Sequence, residues 1–176
     1  QIIMTGVHSY SLAISLSRQI SRRRTVTQFH GKTKICYGRY ALETLEELPS
    51  TSAFVVTDPF MVKSGFAEQV TSHLERRGLP HLTFAEVEPD PSLETVMRGT
   101  LDFIRSKADL IVALGGGSAI DTAKAIAFFA RKAAPDLPRP LLAAIPTTSG
   151  TGSEATRYSI FYVNEDEKHS VSHPGF

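Results

Sequence analysis

The sequence predicts an α/β fold, a parallel sheet with helices on both faces. Three observations point to it. Short continuous apolar runs, Ser52–Thr57 (SAFVVT), Leu110–Leu114 (LIVAL) and Leu141–Ile145 (LLAAI), read as buried strands. Helical stretches alternate with them, which places consecutive strands parallel and the connecting helices on the sheet faces. Gly and Pro punctuate the junctions.

The elements follow in order. Thr33–Tyr37 is a short apolar strand and Ala41–Glu47 a short helix. Ser52–Thr57 ends at Asp58 and Pro59. Phe60–Arg77 reads as one helix, stopped by Gly78 and Pro80. His81–Phe84 is a strand. Ser92 is a plausible N-cap for a helix that carries Val96, Leu101, Phe103 and Ile104 and ends near Lys107. Leu110–Leu114 leads into the helix Ser118–Arg131, whose inner face is Ile120, Ala123, Ile126, Ala127 and Ala130. A loop with Pro135, Pro138 and Pro140 precedes the strand Leu141–Ile145, which Pro146 breaks.

The 176 residues suffice for one domain with its own core, and 41% hydrophobic against 21% charged residues is a globular balance. A net charge of +1 argues against gripping nucleic acid by bulk charge. A single cysteine, Cys36, excludes an internal disulfide and fits a reducing compartment, so a cytoplasmic location is expected. No apolar run has the length to span a bilayer, and no membrane partner is expected. Residues 1–28 hold Arg18, Arg22, Arg23 and Arg24 with no acid, and are rich in Ser; the remainder is net acidic. Residues 1–28 are expected to form a basic arm or leader, with packaging into an enzyme compartment as one use, and 29–176 to form the folded domain. Beginning at Gln1 and ending on Pro-Gly-Phe, the chain is expected to be a segment of something longer.

Two loops carry the chemistry. Gly115-Gly116-Gly117-Ser118 joins the buried strand LIVAL to a helix. Glycines let a backbone approach closely and adopt positive φ, and the free N–H groups of a helix N-terminus face an anion, so this junction suits a phosphate. A tight turn would need only one Gly. The usual GxGxxG fingerprint is absent, and so is a GxxxxGK[ST] loop, which argues against ATP hydrolysis. The second loop, from Ile145 to Thr156, reads IPTTSGTGSEAT. Thr147, Thr148, Ser149, Thr151, Ser153 and Thr156 supply uncharged hydroxyls suited to ribose, pyrophosphate and carboxamide. Asp58, at a strand end, could accept from two ribose hydroxyls; as Asp-Pro it also reads as a turn start.

LGGGSAIDTAKAIA (Leu114–Ala127) and AIPTTSGTGSEAT (Ala144–Thr156) resemble the two signature stretches of the iron-containing (group III) alcohol dehydrogenases, over about residues 29 to 176. The resemblance implies a Rossmann-like dinucleotide-binding domain of the dehydroquinate-synthase and iron alcohol dehydrogenase type. It implies NAD(P) held by GGGS at the pyrophosphate and by Thr147, Thr148, Thr151 and Thr156 at phosphate, ribose and nicotinamide. Val56-Thr57-Asp58 matches the strand end that places its Asp on the adenosine ribose, from which NAD is expected. Pro89-Asp90-Pro91-Ser92 matches a PNPT-like segment, with Asp90 standing for Asn. Asp121 and Lys124 match the DxAK portion, and Lys168 a Lys after the hairpin that follows the Thr loop.

Similar enzymes bind iron (or zinc) through an Asp and three His of a helical domain that would lie beyond Phe176. Of His8, His30, His73, His81, His169 and His173, none forms an i, i+4 pair with an adjacent acid, and His169 and His173 read as solvated loop residues. The expectation is the NAD-binding half of a metal-dependent enzyme interconverting a small primary alcohol and its aldehyde, incomplete as a catalyst by itself and open to homo-oligomer formation. Two alternatives stand beside it: a glycerol-dehydrogenase or dehydroquinate-synthase-like domain, and a non-catalytic nucleotide-binding fragment. The intact PTTSGTGSE segment favours the first reading.

Overall fold

The computed structural model describes residues 2–5, 27–30, 33–164 and 167–172. Along the chain these form β1 (Ile2–Thr5), β2 (Thr27–His30), β3 (Lys34–Tyr37), a 3-10 helix (Ala41–Glu47), β4 (Ala53–Val56), α1 (Pro59–Lys63), α2 (Phe66–Arg76) and β5 (His81–Phe84). Then follow α3 (Leu93–Ser106), β6 (Leu110–Gly115), α4 (Gly117–Ala133), β7 (Leu141–Pro146), a 3-10 turn (Ser153–Ala155), β8 (Tyr158–Asn164) and β9 (Glu167–Ser172).

One seven-stranded sheet has the order β2-β3-β1-β7-β6-β4-β5, parallel except for the antiparallel edge pair β2–β3; β8 and β9 form a separate hairpin. Strand alternation divides the core between two faces. Ala53, Val55, Leu110, Val112, Leu114, Ala143 and Ile145 meet Leu45 of the 3-10 helix and Ala67, Val70 and Leu74 of α2. Phe54, Val56, Ile111, Ala113, Leu142 and Ala144 meet Phe103 of α3 and Ala119, Ile120, Ala123, Ile126 and Ala130 of α4. The expected parallel sheet with helices on both faces is therefore observed. Among the described residues no helix is long and apolar enough to cross a membrane.

Three local differences from the sequence reading have physical causes. The single helix expected over Phe60–Arg77 is two. Ser64 closes α1, and Gly65, at φ 80, turns the chain and becomes the N-cap of α2. A left-handed residue cannot continue a helix, and Gly takes that conformation without a Cβ penalty. Secondly, the arm expected over residues 1–28 overlaps the sheet: β1 pairs in parallel with β3 and β7, and β2 straddles the expected boundary. Ile2-Ile3-Met4 is a short apolar run, and a parallel neighbour distant in the chain leaves no turn signal beside it. Residues 6–26, with the four arginines of the expected leader, lie outside the described residues. Thirdly, Lys168 and His169 lie within β9 rather than after the hairpin or in a loop. Lys168 is opposite Tyr162, and His169 accompanies Glu167 at 2.8 Å and stacks on Phe161. His173 lies outside the described residues.

Candidate functional site: the crevice at the strand carboxyl ends

Chain order reverses between β4 and β6. From β4 the chain steps outward to β5, then returns through α3 to β6 on the other side of β4 and on to β7. A reversal of this kind opens a crevice at the carboxyl ends of the two central strands, because their following connections diverge to opposite faces. Asp58 follows β4 and Gly115–Gly117 follow β6, so both flank that crevice. Register keeps the ends level: Val56 is opposite Ala113, Leu114 opposite Ile145, and Gly115 opposite Pro146. Two further bonds tie the ends together. The buried Thr57 hydroxyl donates to Leu114 O at 2.9 Å, and Thr147 N donates to Gly115 O at 3.0 Å.

The glycines are required by their neighbours. At Gly115, φ is +144, and an added Cβ would meet Ala119 Cβ at 2.8 Å and Asp58 Oδ2 at 3.3 Å. At Gly116 the same atom would lie 3.1 Å from Thr148 Oγ1, and at Gly117 3.3 Å from both Ser153 Oγ and Thr151 Cγ2. Asp58 and the Gly and Thr loops thus converge in space. Gly116 itself has φ −79, so the left-handed strain of this loop belongs to Gly115 alone. Gly116 is also the N-cap of α4 and brings no side-chain cap. The first-turn amides at Gly117, Ser118 and Ala119 precede the helix's own bonding, which begins with Ile120 N donating to Gly116 O. A 17-residue helix directs its positive end at this point.

The two carboxylate oxygens of Asp58 face different ways. Its Oδ1 accepts from Met61 N at 2.9 Å and caps α1, as the turn reading expected; Oδ2 is turned toward Gly115. Thr147, Thr148 and Thr151 are exposed along the second loop. The Thr156 hydroxyl lies 3.4 Å from Lys124 Nζ, on the side of the loop held to α4. Asp90 is exposed in the connection after β5, with φ 53, and Lys168 is exposed on β9, where its charge acts on the Asp121 carboxylate.

Asp121, expected at the cofactor, is 8% exposed; its carboxylate accepts from Ile160 N at 3.3 Å, and its carbonyl accepts from the Ser159 hydroxyl at 2.7 Å. Burial raises its carboxyl above the ordinary value, opposed by the Lys124 ammonium. Lys124 is fully buried and donates to the carbonyls of Ser153, Thr156 (2.7 Å) and Tyr158 (2.9 Å). Burial pulls its pKa down, opposed by Asp121 and Glu154. The sequence marks Ser153 only as one of the loop hydroxyls and Lys124 only as part of the DxAK match; a Lys amid the alanines of an inner helical face is the signal for its burial.

Glu88 was also missed. Its carboxylate accepts from Ser92 N, Ser92 Oγ and Thr95 Oγ1, and so fixes the start of α3. The Ser92 hydroxyl first, then Thr95, hold its pKa below the ordinary value. Among the described residues no group of three or more His, Cys, Asp or Glu is placed to hold a metal ion. A cavity of about 290 Å³, lined by Phe128, Leu137, Pro138 and Leu142 among others, lies beside the start of β7, at the opposite end of the sheet.

The profile of a family described as iron-containing alcohol dehydrogenase matches residues 32–176. The chain is 34% identical over 184 residues to aldehyde-alcohol dehydrogenase 2 of Entamoeba histolytica, covering 91% of this chain and 21% of that protein. It is 35% identical over 154 residues to an NADPH-dependent butanol dehydrogenase of Clostridium saccharobutylicum, covering 80% of this chain and 39% of that protein. The fold resembles the iron-containing alcohol dehydrogenase of Thermococcus thioreducens, with a TM-score of 0.68 and 26% identity, covering 76% of this chain and 40% of that one. The chain thus spans between a fifth and two fifths of the length of these relatives.

Proposed function

This chain belongs to the iron-containing alcohol dehydrogenase family, and from that premise we propose that it is the NAD-binding portion of an enzyme interconverting a small primary alcohol and its aldehyde. What supports the reading is the convergence of Asp58, Gly115–Gly117 and Thr148 at the point where strand order reverses, beside the N-terminus of α4. That cradle fits a dinucleotide. The pyrophosphate would lie on the α4 N-terminus, where amides lacking intrahelical acceptors and the helix dipole favour an anion. Asp58 Oδ2 would accept from the adenosine ribose, and the hydroxyls of Thr147, Thr148 and Thr151 would bond the phosphate, ribose and nicotinamide side.

Bound NAD supplies the acceptor for the hydride that leaves the alcohol carbon. The chain's own part is to bind and orient it, holding the nicotinamide side against the Thr loop so that one face is presented to substrate. The metal that the family name implies finds no fitting group of ligands among the described residues. The substrate class rests on the likeness to a butanol dehydrogenase. That relative's name specifies NADPH; Asp58 favours NAD in this chain, because a carboxylate facing the 2′ position bonds a hydroxyl and repels a phosphate.

Calorimetric titration of the chain with NAD and NADP tests the proposal. Saturable NAD binding with weaker NADP binding is expected. Failure of both to bind would overturn the cofactor assignment, and a preference for NADP would overturn the part given to Asp58.

A further inference from the structure

Lys124 stands two turns into α4 with no solvent exposure. An ammonium has three N–H bonds, and three backbone carbonyls receive them: those of Ser153, Thr156 and Tyr158. All three belong to the Thr-rich loop or the strand it enters. Beside the contacts of Thr148 and Thr151 with the glycine loop, the glycines of the Thr-rich loop stand open. Gly150 and Gly152 have φ of +98 and +66, and a Cβ added at either would meet nothing within 4 Å. Ser153 is the point of transmission, because its carbonyl is held by Lys124 while its Oγ lies 3.3 Å from the Cβ position of Gly117. One turn earlier, Asp121 fixes the next segment through Ile160 N and the Ser159 hydroxyl.

We propose that Lys124 is a positioning residue for the cofactor: from beneath, it holds the Thr-rich loop in register with the glycine loop at the head of the same helix. The inference rests on the cofactor reading above and extends it. Since α4 carries the phosphate cradle at its N-terminus and the loop anchor seven residues on, both halves of the crevice share one rigid support. The buried ammonium is compensated by the carboxylates of Asp121 and Glu154. Charge-assisted donation to three carbonyls fixes the end of the loop, from Ser153 into β8, against α4.

The test is Lys124→Met in the 176-residue chain, which keeps an unbranched side chain and removes every donor. Affinity for NAD and for AMP, and amide exchange, are measured on both chains. NAD binding should weaken at least tenfold, about 1.4 kcal/mol. AMP lacks the half that the Thr loop would hold, so its affinity should stay within about twofold. Amides of residues 153–160 should exchange at least about tenfold faster, with β4 and β6 unchanged. Unaltered NAD affinity would overturn the proposal. So would a parallel loss of NAD and AMP with faster exchange in β4 and β6, the pattern of a general structural defect. If the unmodified chain binds neither ligand, the cofactor reading fails by itself; loop exchange then decides whether Lys124 anchors the loop, and equal exchange in the two chains overturns that. Should the variant not fold, the ammonium protons of the unmodified chain decide. Slow exchange with cross-peaks to residues 153–158 supports the anchor, and exchange as fast as that of surface lysines overturns it.

Discussion

At the residue scale, Gly116 and Asp58 test separate parts of the proposed cofactor site. Gly116→Val would place branched carbons where Thr148 Oγ1 is 3.1 Å from the first added atom, and where a pyrophosphate would approach the backbone. Its φ of −79 is open to any residue, so the variant should fold and lose binding. NAD affinity should fall at least tenfold, about 1.4 kcal/mol, by calorimetry, with the melting curve little changed. Undiminished affinity would place the pyrophosphate elsewhere. Asp58→Gly should relax the preference for NAD mainly by admitting NADP. It should lower stability by only about 0.3 kcal/mol, because Met61 N loses its partner but Gly is itself tolerated at an N-cap. A cofactor ratio indifferent to this change would leave Asp58 as a cap alone. What was legible in the sequence is the placement of both residues at the ends of buried strands, and the capping role of Asp58 as Asp-Pro. Lys124 and Asp121 were legible only as matches to a motif. Their partners are backbone groups some 30 to 40 positions away, and distant backbone carries no side-chain signature.

At the element scale, caps and close approaches decide what pattern alone does not. Asp109, just before β6, accepts from Thr51 N, Thr51 Oγ1 and Ser52 N at 2.9, 2.8 and 3.1 Å, and so fixes the chain entering β4. Partial burial raises its carboxyl, but the bonds from Ser52 and Thr51 outweigh that and leave it below the ordinary 3.8. The unfolded chain therefore binds the proton first as pH falls. Its stabilisation is present above pH 3.8 and is lost as pH drops below that value toward the folded-state pKa. Asp109→Ala should cost about 1–3 kcal/mol at neutral pH. In urea unfolding, the gap to the unmodified chain should narrow as pH falls through that window; a gap independent of pH would contradict the assignment.

The contact of α3 with α4 depends on Gly99, where an added Cβ would lie 2.5 Å from Ile126 Cδ1 and 3.2 Å from Phe84 Cε1. Gly99→Val should destabilise by about 1–3 kcal/mol in the same assay, and a neutral result would mean that Ile126 repacks freely. Gly99 reads in sequence only as a weak point in a helix, since the facing side chain comes from a different element. The break at Gly65 is masked by apolar spacing that runs on across it, although the Ser64-Gly65 pair is itself a turn signal.

At the scale of the whole molecule, the apolar runs were enough for the layers, because a strand buried on both faces has few other homes. Strand order was not legible. Parallel neighbours meet through crossovers, so neither the reversal between β4 and β6 nor the place of β1 between β3 and β7 leaves a local mark. That reversal makes a crevice of three loops drawn from separate parts of the chain. The most direct measurement is an NAD titration of the isotopically labelled chain followed amide by amide. Saturable shifts should be largest at Gly116, Gly117, Ser118 and Thr148, with none around Phe128 and Leu137 at the opposite end of the sheet. The absence of saturable shifts at millimolar NAD, or shifts confined to that opposite end, would contradict a cofactor crevice at the strand carboxyl ends.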